Sequence, residues 1–195
     1  MIDIVVNYRT ADEPLAALLI DKALAKRIGG RVFRDYSAIQ PGQRYSSRIW
    51  TAIDECQVFV AVIGRRWLEK DGDGRRRIDD PADFVRREIA KALARGIPVV
   101  PVLIGKANLP KPEDLPEDLR ELPAHQYRCV RIRGAEHEVE RLADELVALL
   151  HDRHSDSVEA DTSATLPEPR SAVTNVFEGT VNAEGAVFGI VNNGR

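Results

Sequence analysis

Glu88 is the residue whose position raises the sharpest chemical question. It lies in the run 84–95, whose other charges are basic, among them Arg86, Arg87 and Lys91. The aromatic residue Phe84 precedes it by four positions, and residues four apart on a helix lie on one face. From the pattern alone two interpretations stay open: a solvated charge on the helix surface, or a carboxylate that takes part in a reaction.

The helix that carries Glu88 is predicted over residues 81–95. Asp80 and Pro81 form its start signal, because Asp caps helix N-termini and Pro fits the first helical position, and Gly96 ends it. Its apolar face is predicted to consist of Val85, Ile89, Ala92 and Leu93. Glu88 is therefore expected to flank the buried face and to point toward the ends of the neighbouring strands.

Other sequence signals for chemistry are weak or missing. No glycine-rich dinucleotide fingerprint follows the first strand, and the chain has no phosphate-binding lysine loop. The first and third strands end in NYRT and IGRR, without the acids that a phosphoacceptor site needs. His151 and His154 are spaced like metal ligands, but a solvated helix end is the favoured interpretation. The segment DGDGRRRIDD lacks the spacing of a calcium loop and is interpreted as a mobile loop, so no metal site is predicted.

The elements that must position Glu88 alternate between strands and helices. Strands are predicted at residues 2–7, 31–35, 57–63, 97–104 and 127–132, and helices at 12–27, 46–56, 81–95 and 136–151. This alternation predicts an α/β fold of the flavodoxin-like type, an open parallel five-stranded sheet with helices on both faces. Two prolines in the fourth strand suggest an edge strand or positions at a strand end. Ligands of such sheets bind at the carboxyl ends of the strands.

Composition limits the classes of function. Hydrophobic residues make up 44% of the 195, enough to bury a core, and the net charge of −3 draws the chain neither to nucleic acid nor to a membrane. The chain starts directly in a strand without a signal-like segment, and its longest apolar run, VFVAVI, is too short to span a bilayer. Cys56 and Cys129 are expected to be buried free thiols, which suits a cytoplasmic protein.

Five segments in order resemble a bacterial Toll/interleukin-1 receptor (TIR) domain over residues 1–151. They are DIVVNYRTAD, VFRDYSAIQPGQRY, DECQVFVAVIGRRWL, DDPADFVRREIAKAL and IPVVPVLI. The resemblance implies a flavodoxin-like fold and one of two roles. The first is an enzyme that cleaves the nicotinamide–ribose bond of NAD⁺, and the second is a non-enzymatic scaffold that assembles through like domains.

The resemblance also implies roles for individual residues. Glu88 occupies the position of the catalytic glutamate, and Phe84 that of the aromatic residue one helical turn before it. Tyr8, Arg9 and Tyr45 fall at positions implied to contact the substrate. NAD⁺ is the substrate of such a site, so no cofactor is expected.

Two positions depart from the usual pattern, and one loop matches it. Asn7 stands where a serine is more usual, and Phe84 stands where some active members carry Trp. The loop around Pro41 and Gly42 matches the BB loop, through which TIR domains contact their neighbours. Assembly with other TIR domains is therefore an implied interaction.

The chain is predicted to end in two further segments. Residues 152–172 are polar, acidic and contain proline, and they are predicted to form a disordered linker. Residues 173–195 include NVFEGTVNAEGAVFGIVNNGR, which is rich in β-branched residues, low in charge and free of proline. This stretch resembles bacterial amyloid signalling motifs, which implies templated assembly with a partner protein that carries a matching motif. A disordered tail end is the alternative interpretation.

Overall fold

The fold is organised around one five-stranded sheet. A computed structural model describes residues 2–34 and 45–163 of the chain. The strands are β1 (Ile4–Asn7), β2 (Val32–Arg34), β3 (Val58–Ile63), β4 (Val99–Ile104) and β5 (Arg128–Val130). They lie in the order β2-β1-β3-β4-β5, and every neighbouring pair runs parallel. The predicted flavodoxin-like architecture is thereby confirmed.

Helices cover both faces of the sheet. They are α1 (Pro14–Ile28), α2 (Tyr45–Glu55), α3 (Phe84–Ala94) and α4 (Ala135–Ser163). One buried cluster joins the sheet to α1 and α4 around Ile4, and a second joins it to α2 and α3 around Val5. β3 is buried along its whole length, as expected for a strand that is covered on both faces. Among the described helices, none combines the length and apolar composition needed to cross a membrane.

β4 is an internal strand, so the edge position suggested by its prolines is wrong. It pairs with β3 on one side and with β5 on the other. Pro98 lies just before the strand, and the pairing with β5 begins at Val102, one residue after Pro101. Pro101 is paired with Ala61 of β3, but both prolines fall outside the ladder that β4 shares with β5 and need not donate to that strand.

α3 begins at Phe84, later than the predicted start at residue 81. Its N-cap is Asp83, whose side chain accepts a hydrogen bond from the backbone N–H of Arg86. The predicted cap, Asp80, instead accepts a hydrogen bond within the preceding turn. Both aspartates are suitable N-caps by residue type. The side chain of Asp80 is used in its own turn, so Asp83 caps the helix. Phe84 is consequently the first residue of the helix.

α4 continues to Ser163, well beyond the predicted end at His151. No Gly or Pro occurs in residues 152–163, so the sequence holds no strong signal that would end a helix there. The prediction that helical structure stops at His151 is therefore wrong, and the first part of the predicted linker is helical.

Several predicted features lie outside the described residues. These are the loop at 35–44 around Pro41 and Gly42, the remainder of the linker, and the amyloid-type motif at 173–195. The division of the chain into a TIR domain, a linker and a terminal motif stays a prediction.

The two cysteines differ in exposure. Cys56 is buried, as expected, but Cys129 is exposed. Cys129 lies on β5, which is an edge strand of the sheet, and side chains of neighbouring strand residues alternate between directions. Val130 takes the buried position, and the expectation that Cys129 is buried is wrong.

Candidate active site

The candidate site lies at the carboxyl edge of the sheet, where β1 ends at Asn7. The side-chain nitrogen Nδ2 of Asn7 donates a hydrogen bond of 2.6 Å to Oε2 of Glu88 on α3. Both residues are buried, with 1% of the surface of Asn7 and 3% of that of Glu88 exposed. The fold thus brings an amide and a carboxylate together inside the protein.

Glu88 lies within the buried face of α3 and not beside it, which corrects the prediction. The buried residues of this helix are Val85, Glu88, Ile89 and Ala92. Positions three and four apart share one stripe of a helix, so residue 88 belongs with 85 and 92. The spacing is visible in the sequence, but the charge of a glutamate argues against burial unless a partner is present. Asn7 supplies a donor that the sequence alone does not reveal.

Arg9 is held by Asp83 in a two-point ion pair. Its terminal nitrogens donate to the two carboxylate oxygens at 2.9 and 2.8 Å. Asp83 is also the N-cap of α3, so one carboxylate fixes both the guanidinium group and the start of the helix. Both side chains are largely buried. The pair ties the segment that follows β1 to the segment that leads to Glu88.

Phe84 is the exposed member of the predicted set, with 45% of its surface accessible. The guanidinium carbon of Arg87 lies 5.8 Å from the centre of the Phe84 ring and 5.0 Å from that of Trp50. The ammonium nitrogen of Lys91 lies 5.5 Å from the Trp50 ring centre. Because cations are attracted to aromatic faces, these side chains form a row that joins α3 to α2. Phe84 stands at its end, partly open to a ligand.

The predicted substrate contacts do not all lie on one face of the sheet. Tyr8 is buried in the cluster shared with α1 and α4. Asn7 contacts α3 on the other face, as the alternation of neighbouring residues along an extended chain requires. Tyr45 is the first residue of α2, and this helix lies on the same face of the sheet as α3. The structure therefore places Arg9, Phe84 and Glu88 around the start of α3 and packs Tyr8 on the opposite face.

These residues lie within one matched domain. A family model described as TIR domain matches residues 4–150. The chain belongs to the TIR domain family. The match begins at β1 and ends in α4, so it contains all five strands and the contact between Asn7 and Glu88.

A curated relative of this TIR domain is the NAD(+) hydrolase sarm1 of Drosophila melanogaster, which is 29% identical over 119 residues. The aligned part covers 61% of this chain but only 8% of that relative, so the chain spans a small fraction of the relative's length. Among solved structures, the TIR domains of the activated Roq1 resistosome directly recognizing the pathogen effector XopQ match with a TM-score of 0.44 and 15% identity. That match covers 80% of this chain and 99% of the other.

Asp12 is a residue of the TIR domain that sequence reasoning missed. Its carboxylate oxygens accept hydrogen bonds from the backbone N–H groups of Gly64 and Arg66, both at 2.9 Å. It therefore joins the loop after β1 to the loop after β3. A Cβ atom at Gly64 would overlap Cγ of Glu13 and would lie 2.5 Å from the carboxylate oxygens of Asp12, so a larger residue would displace these side chains. No motif or spacing in the sequence points to this contact.

A cleft of about 150 Å³ lies beside these loops in the TIR domain. Arg9, Asp12 and Trp67 contribute to its wall. Trp67 is buried in the hydrophobic cluster of the α2–α3 face and is therefore a packing residue. Its position holds the loop after β3 against the core.

The described part of the TIR domain contains no group of three or more His, Cys, Asp or Glu side chains arranged to hold a metal ion. In the segment DGDGRRRIDD, the carboxylate of Asp71 accepts hydrogen bonds from the backbone N–H groups of Asp73 and Arg75. This aspartate therefore stabilises a turn of its own segment.

Proposed function

We propose that this TIR domain cleaves the nicotinamide–ribose bond of NAD⁺, as a hydrolase or a cyclase, with Glu88 as the catalytic carboxylate. The observation that carries the proposal is the buried Glu88, oriented by Asn7 at the carboxyl edge of the sheet. Phe84 lies one helical turn before it and offers an exposed ring. The edge is also where parallel α/β sheets bind their ligands.

A single carboxylate suits this reaction. The leaving group of NAD⁺ is a pyridinium, which takes the electron pair of the broken bond and departs as neutral nicotinamide. It needs no general acid, whereas ordinary glycosides are commonly cleaved by a pair of carboxylates. Positive charge grows on the ribose ring as the bond breaks. A fixed anion shielded from water stabilises that charge.

The second half of the reaction decides the product. Water attacks the anomeric carbon and loses a proton in a hydrolase, whereas a nucleophile of the same molecule attacks in a cyclase. Glu88 acts in either case by stabilising the charge, by holding the ribose hydroxyl groups, or by forming a transient ester with the anomeric carbon. Phe84 is proposed to pack on a flat ring of the substrate.

The similarity to a protein named as an NAD(+) hydrolase supports the same proposal, since the aligned part covers 61% of this chain. We propose further that the domain is activated by self-assembly, through contacts between TIR domains and through the segment 173–195. The biological setting proposed for it is bacterial immunity or cell-death signalling.

A non-enzymatic scaffold is the second candidate function. One observation favours it: both terminal nitrogens of Arg9 are engaged by Asp83. In an enzyme, Arg9 would suit the pyrophosphate of NAD⁺, and it would have to bind it with the N–H groups that this ion pair leaves over or by opening the pair. A scaffold would keep the pair closed and would leave NAD⁺ intact.

In the deciding experiment, the 195-residue chain is incubated with NAD⁺ and the products are separated by chromatography. The protein is tested both at low concentration and at concentrations at which it assembles. We expect release of nicotinamide by the wild type and no release by the Glu88→Gln variant. Glu136→Gln is a matched control, because it removes an exposed carboxylate in the first turn of α4. Absence of NAD⁺ loss by assembled wild-type protein would leave the scaffold as the better reading.

A further inference from the structure

We propose that Asn7 is the positioning residue of Glu88: its amide N–H favours the ionised carboxylate and fixes the direction in which that carboxylate points. The catalytic importance of this positioning rests on the proposed function. The contact itself is independent of any substrate. It joins the last residue of β1 to the second turn of α3.

The geometry leaves one sensible orientation of the amide. An ionised carboxylate only accepts hydrogen bonds, so Asn7 must present its nitrogen to Glu88 and not its oxygen. The distance between Nδ2 and Oε2 is 2.6 Å, and the contact is buried. Because burial excludes competing water, this one donor has a strong influence on the orientation of the carboxylate.

Packing alone does not explain an asparagine at this position. The preceding residues of β1 are Ile4, Val5 and Val6, and all are buried. The side-chain oxygen of Asn7 is buried too, and it has no hydrogen-bond partner among residues 2–34 and 45–163. A buried acceptor without a partner is unfavourable for folding. We therefore infer that the asparagine is kept for its donor, which reaches Glu88.

Several charged groups near this part of α3 have partners among residues 2–34 and 45–163. Arg9 is paired with Asp83 across the start of the helix. Asp118, in the 3₁₀ turn Glu117–Leu119 that packs against α3, accepts a hydrogen bond from Arg86. On α2, Asp54 accepts from Lys91 and Arg95. Arg87 lies over the ring of Trp50, also on α2.

The strands beneath α3 add no charge of their own, because β1, β3 and β4 carry no titratable side chain. Arg48 is exposed on α2. Asn7 donates directly to Glu88 at 2.6 Å, so its replacement should alter the titration of Glu88.

The test measures the titration of Glu88 by carbon NMR in protein labelled at the glutamate side-chain carboxyl carbon. The Glu88→Gln variant identifies the signal. Asn7→Leu removes the donor at similar size, and Asn7→Asp replaces it with a second carboxylate. We expect both variants to raise the midpoint of the Glu88 titration by about one pH unit or more, since a lost donor and a like charge each disfavour the anion.

A matched control lies at the other end of the same strand. Asp3 is buried just before β1 and paired with Arg31 at 2.7 Å, at the edge of the sheet opposite the site. Asp3→Asn should leave the Glu88 titration unchanged. Asn7→Ser keeps a donor on a shorter side chain and should fall between the wild type and Asn7→Leu, and it serves as the second variant if Asn7→Leu fails to fold.

Kinetics give a second readout if the wild type cleaves NAD⁺. The Asn7 variants should lower kcat on the order of tenfold to a hundredfold, with a smaller effect on KM, and should shift the acidic limb of the pH profile upward. If the wild type does not cleave NAD⁺, the proposed function is wrong, and the NMR result alone decides the role of Asn7. An unchanged Glu88 titration in both Asn7→Leu and Asn7→Asp would overturn the inference.

Discussion

The guanidinium group of Arg9 is bound by the same carboxylate that caps helix α3. Asp83 accepts two hydrogen bonds from Arg9 and one from the backbone N–H of Arg86. The two chain segments that flank the contact between Asn7 and Glu88 are thereby held together. Arg9 is accordingly part of the structural frame of the site, whatever its further role toward a substrate.

Replacing Arg9 by Gln should destabilise the domain by about 3 kcal/mol, because it leaves Asp83 as a largely buried charge without its partner. Chemical denaturation followed by circular dichroism measures this change. Arg95→Gln is the matched control, since Arg95 pairs with Asp54 on the exposed surface of α2 and α3. An Arg9 variant that is no less stable than the Arg95 variant would refute the framing role.

Replacing Glu88 by Ala should lower the free energy of unfolding by about 2 kcal/mol, because it leaves the buried amide of Asn7 without its acceptor and opens a void. Glu88→Gln should be milder, since the carbonyl oxygen of Gln can still accept from Asn7. Urea unfolding of both variants tests the order. Equal stability of Glu88→Ala and the wild type would argue for an exposed Glu88.

The sequence predicts the order of elements, because hydrophobic periodicity and turn residues are local signals, and the parallel sheet then indicates the edge where the candidate site lies. It does not predict that Glu88 is buried, since the compensating donor is 81 residues away along the chain. The prediction of the N-cap of α3 is wrong because Asp80 and Asp83 are equally suitable by residue type. β4 becomes internal only through its pairing with β5, which is a property of the assembled sheet.

Truncating Phe84 to Ala should raise the KM for NAD⁺ about tenfold while leaving part of kcat, because stacking on an aromatic ring is worth roughly 1–3 kcal/mol. Phe84→Trp should restore or improve binding through a larger ring. Steady-state kinetics on the assembled protein measures both. A Phe84→Ala variant with unchanged KM would place the substrate elsewhere.

Alkaline pH should remove the stability that the buried, neutral thiol of Cys56 contributes. Burial raises the pKa of Cys56 to about 12 from an ordinary value near 9, because the thiolate is disfavoured inside the protein. The stability contributed by the neutral thiol is therefore fully present below about pH 9 and is lost as the pH rises toward 12. Denaturant unfolding of the wild type and of Cys56→Ala between pH 7 and 11 measures the difference in their free energies of unfolding. This difference should become smaller as the pH rises.

The two cysteines should also differ in reactivity. A thiol reagent at mild pH should modify the exposed Cys129 in the native protein and reach Cys56 only after unfolding. Rapid modification of both thiols in native protein would contradict the burial of Cys56.

The segment 173–195 should form cross-β fibrils by itself. Its β-branched and aromatic residues, low charge and lack of proline are the features of such segments. The isolated peptide should bind thioflavin and give a reflection near ~4.7 Å, the spacing between neighbouring strands. A peptide with Ile190→Pro is the matched control, because proline removes a backbone donor from the strand ladder.

Deleting residues 173–195 should lower NAD⁺ loss in cells while the purified TIR domain keeps its fold and, at assembling concentrations, its activity. The physical reason is effective concentration: a segment that gathers many chains on one fibril brings their TIR domains within reach of one another. Metabolite measurement in cells that express the full-length chain, the deletion and the Ile190→Pro variant tests this. A wild-type peptide that stays monomeric at high concentration, even when seeded, returns this segment to the reading of a disordered tail end.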